Sequence, residues 1–245
     1  MKLTPAQKHW QFHAATEAAK RPEGASNSTE WERMYHRFRL DKKRLGEIQG
    51  TTRKIEVKKE LLPSYQGWIE GILGSDSARP DEIFVTCIIW HIDTGMVEEA
   101  LPLIEHALRH KMPVPDQYKR TPAALFVEEI CNPALNALKV GDPCPLTPEL
   151  LSRLGIMAQE EDMPDQVRAK LHKLIGLLLM QSDSEEGRTR ALENLVQATR
   201  LNPDAGVKKE IDALRRATAK RREATAATEA TRSSENSKST RKRTG

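Results

Sequence analysis

Residues 31–62 read WERMYHRFRLDKKRLGEIQGTTRKIEVKKELL, and their apolar side chains recur at alternating spacings of three and four residues. Numbered in heptads, the stretch places apolar residues at most a and d positions, with Asp41, Thr52 and Lys59 as exceptions. Such a pattern predicts an amphipathic helix whose apolar side packs on another helix. The residues that we expect to form this apolar seam are Trp31, Met34, Phe38, Leu45, Ile48 and Ile55.

The seam is compatible with two arrangements. A coiled coil, or a long hairpin with a break near Gly46 or Gly50, would join two copies of the chain and make it a homo-oligomer. Alternatively, the stripe packs only on the protein's own core. The spacing does not distinguish these arrangements, because both bury the same side chains.

The rest of the chain also has helical periodicity. Aromatic residues make up 4% of the sequence and runs of β-branched residues are few. Because strands are enriched in both residue types, the sequence does not favour β-structure. We therefore predict an all-α fold, in which irregular helical hairpins follow the N-terminal long helix or coiled-coil hairpin. A first helix begins at Pro5 and fades at residues 21–24. Later helices are predicted at residues 63–73, 81–92, 96–110, 122–138, 147–161, 164–180, 185–201 and from about 205.

Two of these helices share a pattern of small residues. The series Ala191, Leu195 and Ala198 has the spacing of the second helix of a tetratricopeptide-type repeat, and a similar series occurs at Ala100, Ile104 and Ala107. The two series lie 91 residues apart, which is not a multiple of the 34-residue repeat. This pattern predicts irregular, repeat-like hairpin packing and not a regular solenoid.

Charge divides the chain into three parts. Residues 1–62 hold 14 Lys and Arg against 8 Asp and Glu, residues 63–214 hold 15 against 24, and residues 215–245 hold 10 against 3. We therefore predict a basic N-terminal helical region at 1–62, an acidic α-helical domain at 63–216 and a basic disordered tail at 217–245. Binding to a polyanion is expected at the two basic ends.

The basic ends supply candidate DNA-binding residues. Rows of Lys and Arg neutralise phosphates with little sequence preference, although a solvated coiled-coil surface would have a similar composition. The N-terminal candidates are Lys42, Lys43, Arg44, Arg53, Lys54, Lys58 and Lys59. The C-terminal candidates are Arg215, Arg216, Lys220, Arg221 and Arg222.

No enzyme signature is evident. The sequence has no phosphate-binding GxxxxGK[ST], no GxGxxG and no nucleophile elbow. His9 and His13, like His106 and His110, share a helical face, but chance spacing on amphipathic helices explains these pairs better than a metal site. Acidic pairs are better explained by first helical turns than by a nuclease. We expect no cofactor or resident metal, with Mg²⁺ required only if the chain is a nuclease, and assign no catalytic residue.

The compartment is expected to be a reducing cytoplasm. No run of about 18 apolar residues could span a membrane, and no apolar block of a secretory signal is evident. The three cysteines, Cys87, Cys131 and Cys144, fit neither a disulfide framework nor a zinc site.

Three phrases, in order along the chain, are similar to a known family. They are RKIEVKKELLPSYQGWIEGIL at residues 53–73, WHIDTGMVEEALPLIEHALRHKMPVPDQYKRTPAALFVEEI at 90–130 and NLVQATRLNPDAGVKKEIDAL at 194–214. They resemble the small terminase subunit of temperate, contractile-tailed bacteriophages that package DNA from cohesive ends. The resemblance runs from about residue 3 to residue 216.

The resemblance implies a partner of the large terminase subunit, which carries the packaging ATPase. Together the two would cut concatemeric phage DNA at its cohesive-end site and deliver it to the procapsid, in the host cytoplasm. The family is customarily labelled the terminase endonuclease subunit, yet it implies no established catalytic residues. Two alternatives stay open: a metal-dependent endonuclease in its own right, and a helical-repeat adaptor that binds only protein.

Overall fold

The computed structural model describes residues 3–20, 29–115, 119–182 and 184–221, and every regular element within these ranges is helical. The chain divides into two compact units, residues 1–167 and 168–245. The boundaries predicted from charge, at 62 and 216, describe a different division of the chain and stay predictions. None of the described helices is both long enough and apolar enough to cross a lipid bilayer.

The helices of the first unit follow the predicted order. They are α1 (Pro5–Lys20), α2 (Thr29–Glu47), α3 (Thr51–Leu61), α4 (Gln66–Ser75), α5 (Glu82–Asp93), α6 (Val97–Arg109), α7 (Pro122–Val140) and α8 (Pro148–Met157). A 3-10 turn at Leu62–Ser64 joins α3 to α4. The break predicted near Gly50 is confirmed, since residues 48–50 separate α2 from α3.

Local capping determines where several helices begin. The Asp81 carboxylate accepts a hydrogen bond from the Phe84 amide at 2.7 Å, and the Thr121 and Thr147 hydroxyls accept from the amides three residues on. Each of these bonds satisfies an amide that the helix itself leaves without a partner. Helix α7 ends at Gly141, whose φ of 84° is the left-handed conformation that glycine adopts readily.

Helix α5 is the centre of the first unit. Almost all its side chains are buried, which matches its nearly continuous apolar sequence EIFVTCIIWHID. Helices α3, α4, α6 and α7 contact it, and the Phe38 ring of α2 lies 6.2 Å from the Trp90 ring of α5. A helix that is apolar on every side is stable in water only when others surround it.

Close packing of α1 on α4 depends on two glycines. A Cβ at Gly67 would lie 2.6 Å from the Lys8 carbonyl oxygen, and a Cβ at Gly71 would lie 2.6 Å from the Phe12 carbonyl oxygen. Ala15 of α1 is fully buried at the same contact. Small residues therefore allow the two helix backbones to approach closely, as at other tight helix crossings.

The second unit consists of most of α9 (Asp165–Leu179), α10 (Glu185–Leu201) and α11 (residues 208–221). A Cβ at Gly176 of α9 would lie 2.6 Å from the Leu195 side chain of α10. The Lys173 ammonium donates to the Ala205 carbonyl at 2.6 Å, which ties α9 to the segment before α11. Helix α11 includes the first residues of the predicted tail; residues 222–245, and with them most of that tail, lie outside the described residues.

The two series of small residues are buried as expected. Ala100, Ile104 and Ala107 have no exposed surface, and the same holds for Ala191, Leu195 and Ala198. Burial agrees with close helix contacts. A tetratricopeptide-like repeat stays a prediction, as does a coiled coil.

Candidate nucleic-acid interface

Helix α2 presents a basic face to solvent. Met34, Phe38 and Leu45 point inward and are buried, so the residues on the opposite side of the helix are exposed. The cations and their neighbours on this side, which we call the α2 face, are Arg33, His36, Arg37, Arg39, Leu40, Lys43 and Arg44, with exposed Glu32 and Glu47 at its two ends. At a rise of about 1.5 Å per residue, the face extends about 16 Å along the helix.

The cations of the α2 face differ in their partners. Arg37 and Arg44 each have a carboxylate near them, since Arg37 Nε lies 3.8 Å from Asp41 Oδ2 and Arg44 Nη2 lies 3.3 Å from Glu60 Oε2. Among the described residues, no carboxylate lies within 4.0 Å of Arg33 or Lys43. These two side chains are exposed and available to an anion in solution.

Lys42 is one of two predicted DNA-binding residues, with Lys58, whose side chains pair with carboxylates of α5. Its ammonium lies 2.8 Å from Glu82 Oε1 of α5 and 5.2 Å from the centre of the Phe38 ring. The side chain is about one third exposed. Lys42 therefore ties α2 to α5, and its position next to Lys43 in sequence does not place it on the same surface.

The basic residues of α3 contact carboxylates to a greater extent. Arg53 Nη1 lies 2.8 Å from Glu56 Oε2, and the half-buried Lys58 ammonium contacts Asp93 of α5. Lys54 and Lys59 have no described carboxylate within 4.0 Å, but Lys54 is half-buried, so Lys59 alone among the α3 cations is both exposed and free of such a neighbour. Carboxylates that adjoin a cation reduce the positive potential available to a phosphate, so α3 is a weaker candidate than the α2 face.

The second unit carries its own basic helix surface. Arg215, Arg216, Lys220 and Arg221 are exposed on α11, whereas Ile211 and Leu214 are buried. Exposed Lys208 and Lys209 belong to the same helix. Arg222 lies outside the described residues.

Sequence reasoning missed several members of these surfaces. Arg33 and Arg37 were absent from the prediction because they lie within the seam sequence, upstream of the Lys-Lys-Arg run. Lys208 and Lys209 were missed because acidic residues follow them. The signal that could have identified all four is the helical wheel: once the buried stripe is assigned, they lie on the opposite side.

Half of the predicted seam residues are buried inside the chain itself. Met34, Phe38 and Leu45 are at most 7% exposed, and the Phe38 ring lies 6.3 Å from the Tyr65 ring as well as near Trp90. Trp31 stacks on Tyr35 with ring centres 4.7 Å apart. Ile48 and Ile55 are half-buried. This is the arrangement on the protein's own core that the sequence left open; self-association stays a prediction.

The structure also adds a residue to one histidine pair. Asp76 lies beside His106 and His110, with its carboxylate 2.9 Å from the His110 Nε2 atom. Asp76 is 30 residues from His106 in sequence, so no local spacing could have predicted the contact. Within the described ranges, this is the one group of three or more potential metal ligands.

Comparison with known proteins identifies two similarities. The sequence profile of the phage small terminase subunit family matches residues 35–166. The chain is 35% identical over 214 residues to the "Terminase, endonuclease subunit" of Escherichia phage P2. The aligned region covers 87% of this chain and 85% of that protein. No solved structure matches the chain.

Proposed function

Because the chain belongs to the phage small terminase subunit family, we propose that it binds double-stranded phage DNA through the α2 face. Together with a large ATPase subunit, it takes part in cutting concatemeric DNA at the cohesive-end site and in delivering that DNA to the procapsid. The complex acts in the cytoplasm of the host cell. This chain supplies DNA binding and assembly, and the partner supplies ATP hydrolysis.

The observation that carries the proposal is the exposure of cations along one side of α2. Double-stranded DNA presents one negative charge for about every 1.7 Å of its axis, so a face about 16 Å long can contact several phosphates. Arg33 and Lys43 lie near opposite ends of this face, and no described carboxylate lies within 4.0 Å of either of them. Most of the face lies within the segment that matches the family profile.

Phosphate contacts position a protein on DNA but do not read its sequence. We therefore assign the α2 face to orientation and affinity for DNA of any sequence. A preference for the cohesive-end site requires base contacts from an ordered element, and we expect that element within residues 1–62. The exposed surface of α11 and the basic residues after it provide a second, nonspecific site.

The test compares two double variants that each remove two exposed cations of the first unit. Arg33→Gln with Lys43→Gln removes two cations that have no carboxylate within 4.0 Å among the described residues. Arg53→Gln with Arg153→Gln is the matched control, because Arg53 and Arg153 lie 2.8 Å and 2.6 Å from Glu56 and Glu98. Fluorescence anisotropy of labelled duplexes, at several salt concentrations, measures the affinity.

Removing two phosphate contacts should lower the slope of log affinity against log salt by about 1.8, at about 0.9 per contact. The loss of affinity should be the same for cohesive-end and scrambled duplexes, since phosphates are common to both. The control should leave the slope unchanged. An equal decrease in the salt slope of both variants, or no decrease in either slope, would contradict DNA binding by the α2 face.

A second candidate function follows from the name of the phage P2 relative, an endonuclease subunit. In that case the isolated chain cleaves DNA with a divalent cation. Incubation of supercoiled plasmid carrying a cohesive-end site with the purified chain and Mg²⁺ tests this function. Nicking by the chain alone supports the nuclease, whereas cutting that requires the large subunit supports the first proposal.

A further inference from the structure

Asp76, His106 and His110 converge at one edge of the first unit. His106 and His110 are four residues apart on α6, so both rings lie on one face of the helix. Asp76 follows α4 directly, in a left-handed conformation with φ of 48°. This conformation turns the chain at the end of α4 and brings the Asp76 carboxylate against α6.

The distances among these side chains suit a single metal ion. Asp76 Oδ1 lies 2.9 Å from His110 Nε2 and 3.8 Å from His106 Nδ1. One ligand atom from each residue lies within 4.8 Å of the other two. In a tetrahedral zinc site with bonds of about 2.1 Å, ligand atoms are about 3.4 Å apart, so small side-chain rotations would complete the geometry.

A second contact orients His106 for this role. Its Nε2 atom lies 3.0 Å from the Ser77 carbonyl oxygen, which can only accept a hydrogen bond. The proton is therefore on Nε2, and the lone pair on Nδ1 faces Asp76. Histidines that bind metals usually donate their other ring N–H to a carbonyl or carboxylate in this way.

We propose that Asp76, His106 and His110 bind a divalent transition metal of the Zn²⁺ class, with water completing the coordination. Two imidazoles and one carboxylate form a ligand set that zinc accepts, whereas Mg²⁺ prefers oxygen ligands alone. The site departs from the expectation, drawn from spacing alone, that these histidines are a chance pair. The proposal goes beyond DNA binding and does not depend on it.

Arg109 gives the proposal a sharp test. Its Nη2 atom lies 2.5 Å from Asp76 Oδ1, the same oxygen that would bind the metal. The Arg109 side chain is more than half exposed, so it can move into solvent when a cation replaces it. Arg109 therefore competes with the metal, and its removal should strengthen metal binding.

The chain contains its own control for the histidine spacing. His9 and His13 on α1 are also four residues apart, and their rings lie 4.3 Å from each other. No described carboxylate completes a three-ligand group with this exposed pair. Metal binding that needs only two neighbouring histidines would occur equally at both places.

The experiment titrates the full-length chain, without an affinity tag, with Co²⁺ as a spectroscopic substitute for Zn²⁺. Visible absorption by bound Co²⁺ should appear, and Zn²⁺ should displace it. Asp76→Asn and His110→Gln should each weaken binding at least about tenfold, given that loss of even an outer-shell partner costs that much. Arg109→Gln should strengthen it several-fold. His9→Gln with His13→Gln should change nothing.

Two outcomes would overturn the site. One is Co²⁺ binding that Asp76→Asn leaves unchanged; the other is a signal that disappears in the His9 and His13 double variant. Asp76, His110 and Arg109 are chosen because each is more accessible than the fully buried His106. Thermal unfolding of each apo variant checks that its fold is kept. A metal-dependent rise in melting temperature that occurs in the unaltered chain but not in the Asp76 or His110 variant gives a second readout.

Discussion

Helices α2 and α3 are consecutive, both are rich in Lys and Arg, and their sequences predict DNA binding about equally. The structure separates them. The α2 face carries Arg33 and Lys43, both exposed and without a described carboxylate within 4.0 Å. On α3, Arg53 lies beside Glu56 and Lys58 contacts Asp93. Lys54 is half-buried, which leaves Lys59 as the one α3 cation that is exposed without such a carboxylate. The number of cations in a helix therefore does not determine its surface potential, because other segments of the chain supply the neutralising carboxylates.

The polar contacts that join the two helices to α5 lie at its opposite ends. Lys42 and the Tyr35 hydroxyl of α2 contact Glu82 at the N-terminal end, at 2.8 Å and 3.1 Å. Lys58 of α3 contacts Asp93 at the C-terminal end. The two ion pairs can therefore be tested separately.

The largest effect is expected from the aromatic residue that anchors α2. Phe38→Ala should lower the free energy of unfolding by about 3–5 kcal/mol, because removing the fully buried ring leaves a cavity. Val57→Ala on α3 removes a smaller buried side chain and should cost about 2 kcal/mol. All four tryptophans lie in the first unit, so urea denaturation followed by tryptophan fluorescence reports on its unfolding. An equal loss from both variants would contradict the dominant role of Phe38.

The next effect concerns pH at the N-terminal end of α5. Burial raises the pKa of Asp81 from its ordinary value of 3.8 to about 6, despite hydrogen bonds from the Phe84 amide and the Trp68 indole. Folding therefore favours the protonated acid. The contribution of this group to stability is complete below about pH 4 and is lost as pH rises through 6.

Comparison with Asp81→Asn isolates this effect, because the amide does not titrate. The free energy of unfolding of the unaltered chain, minus that of the variant, should fall by roughly 2–3 kcal/mol between pH 4 and pH 7, at about 1.4 kcal/mol per pKa unit. The variant also loses an acceptor for Trp68, but this loss is independent of pH. A constant difference across that range would show that Asp81 is ionised throughout.

Most helix boundaries could be predicted, because caps act within a few residues. Asp81, Thr121 and the break near Gly50 needed only neighbouring positions in the sequence. The identity of the partner that buries Met34 and Phe38 could not be predicted, since a heptad stripe looks the same beside a second chain and beside α5. The pairing of Lys42 with Glu82 and the approach of Asp76 to His106 depend on the tertiary fold.

Removal of the C-terminal basic residues separates their contribution to DNA binding from that of the α2 face. Residues 222–245 contain 6 Lys and Arg and 3 Asp and Glu, and truncation after residue 221 keeps all the described residues of α11. We expect binding to weaken roughly tenfold for all duplexes, with the salt slope falling by about 0.9 for each phosphate that the tail no longer neutralises. Anisotropy on the truncated chain, with and without the Arg33 and Lys43 substitutions, measures both contributions. If truncation abolished the effect of those substitutions, the α2 face would not be an independent site.

The smallest effect compares the two lysines that join α2 and α3 to α5. Lys58 and Asp93 are about one fifth and one quarter exposed, whereas Lys42 and Glu82 are each about one third exposed. Lys58 also acts on Glu129, whose pKa is raised by burial and by the negative charge of Asp93, and lowered by Lys58 itself. Replacement of Lys58 therefore leaves two carboxylates facing each other, whereas replacement of Lys42 leaves Glu82 with the Tyr35 hydroxyl.

Lys58→Met should lower the free energy of unfolding by about 1 kcal/mol, and Lys42→Met by about half as much, because partly exposed ion pairs contribute little. Adding Asp93→Asn to Lys58→Met should restore much of the stability, since it removes the repulsion with Glu129. Urea denaturation at low and high salt measures both effects, and the difference between the lysines should shrink as salt screens the carboxylates. A larger destabilisation by Lys42→Met would place the stronger electrostatic link at the N-terminal end of α5, and the contrast between the two helices would then rest on their exposed faces alone.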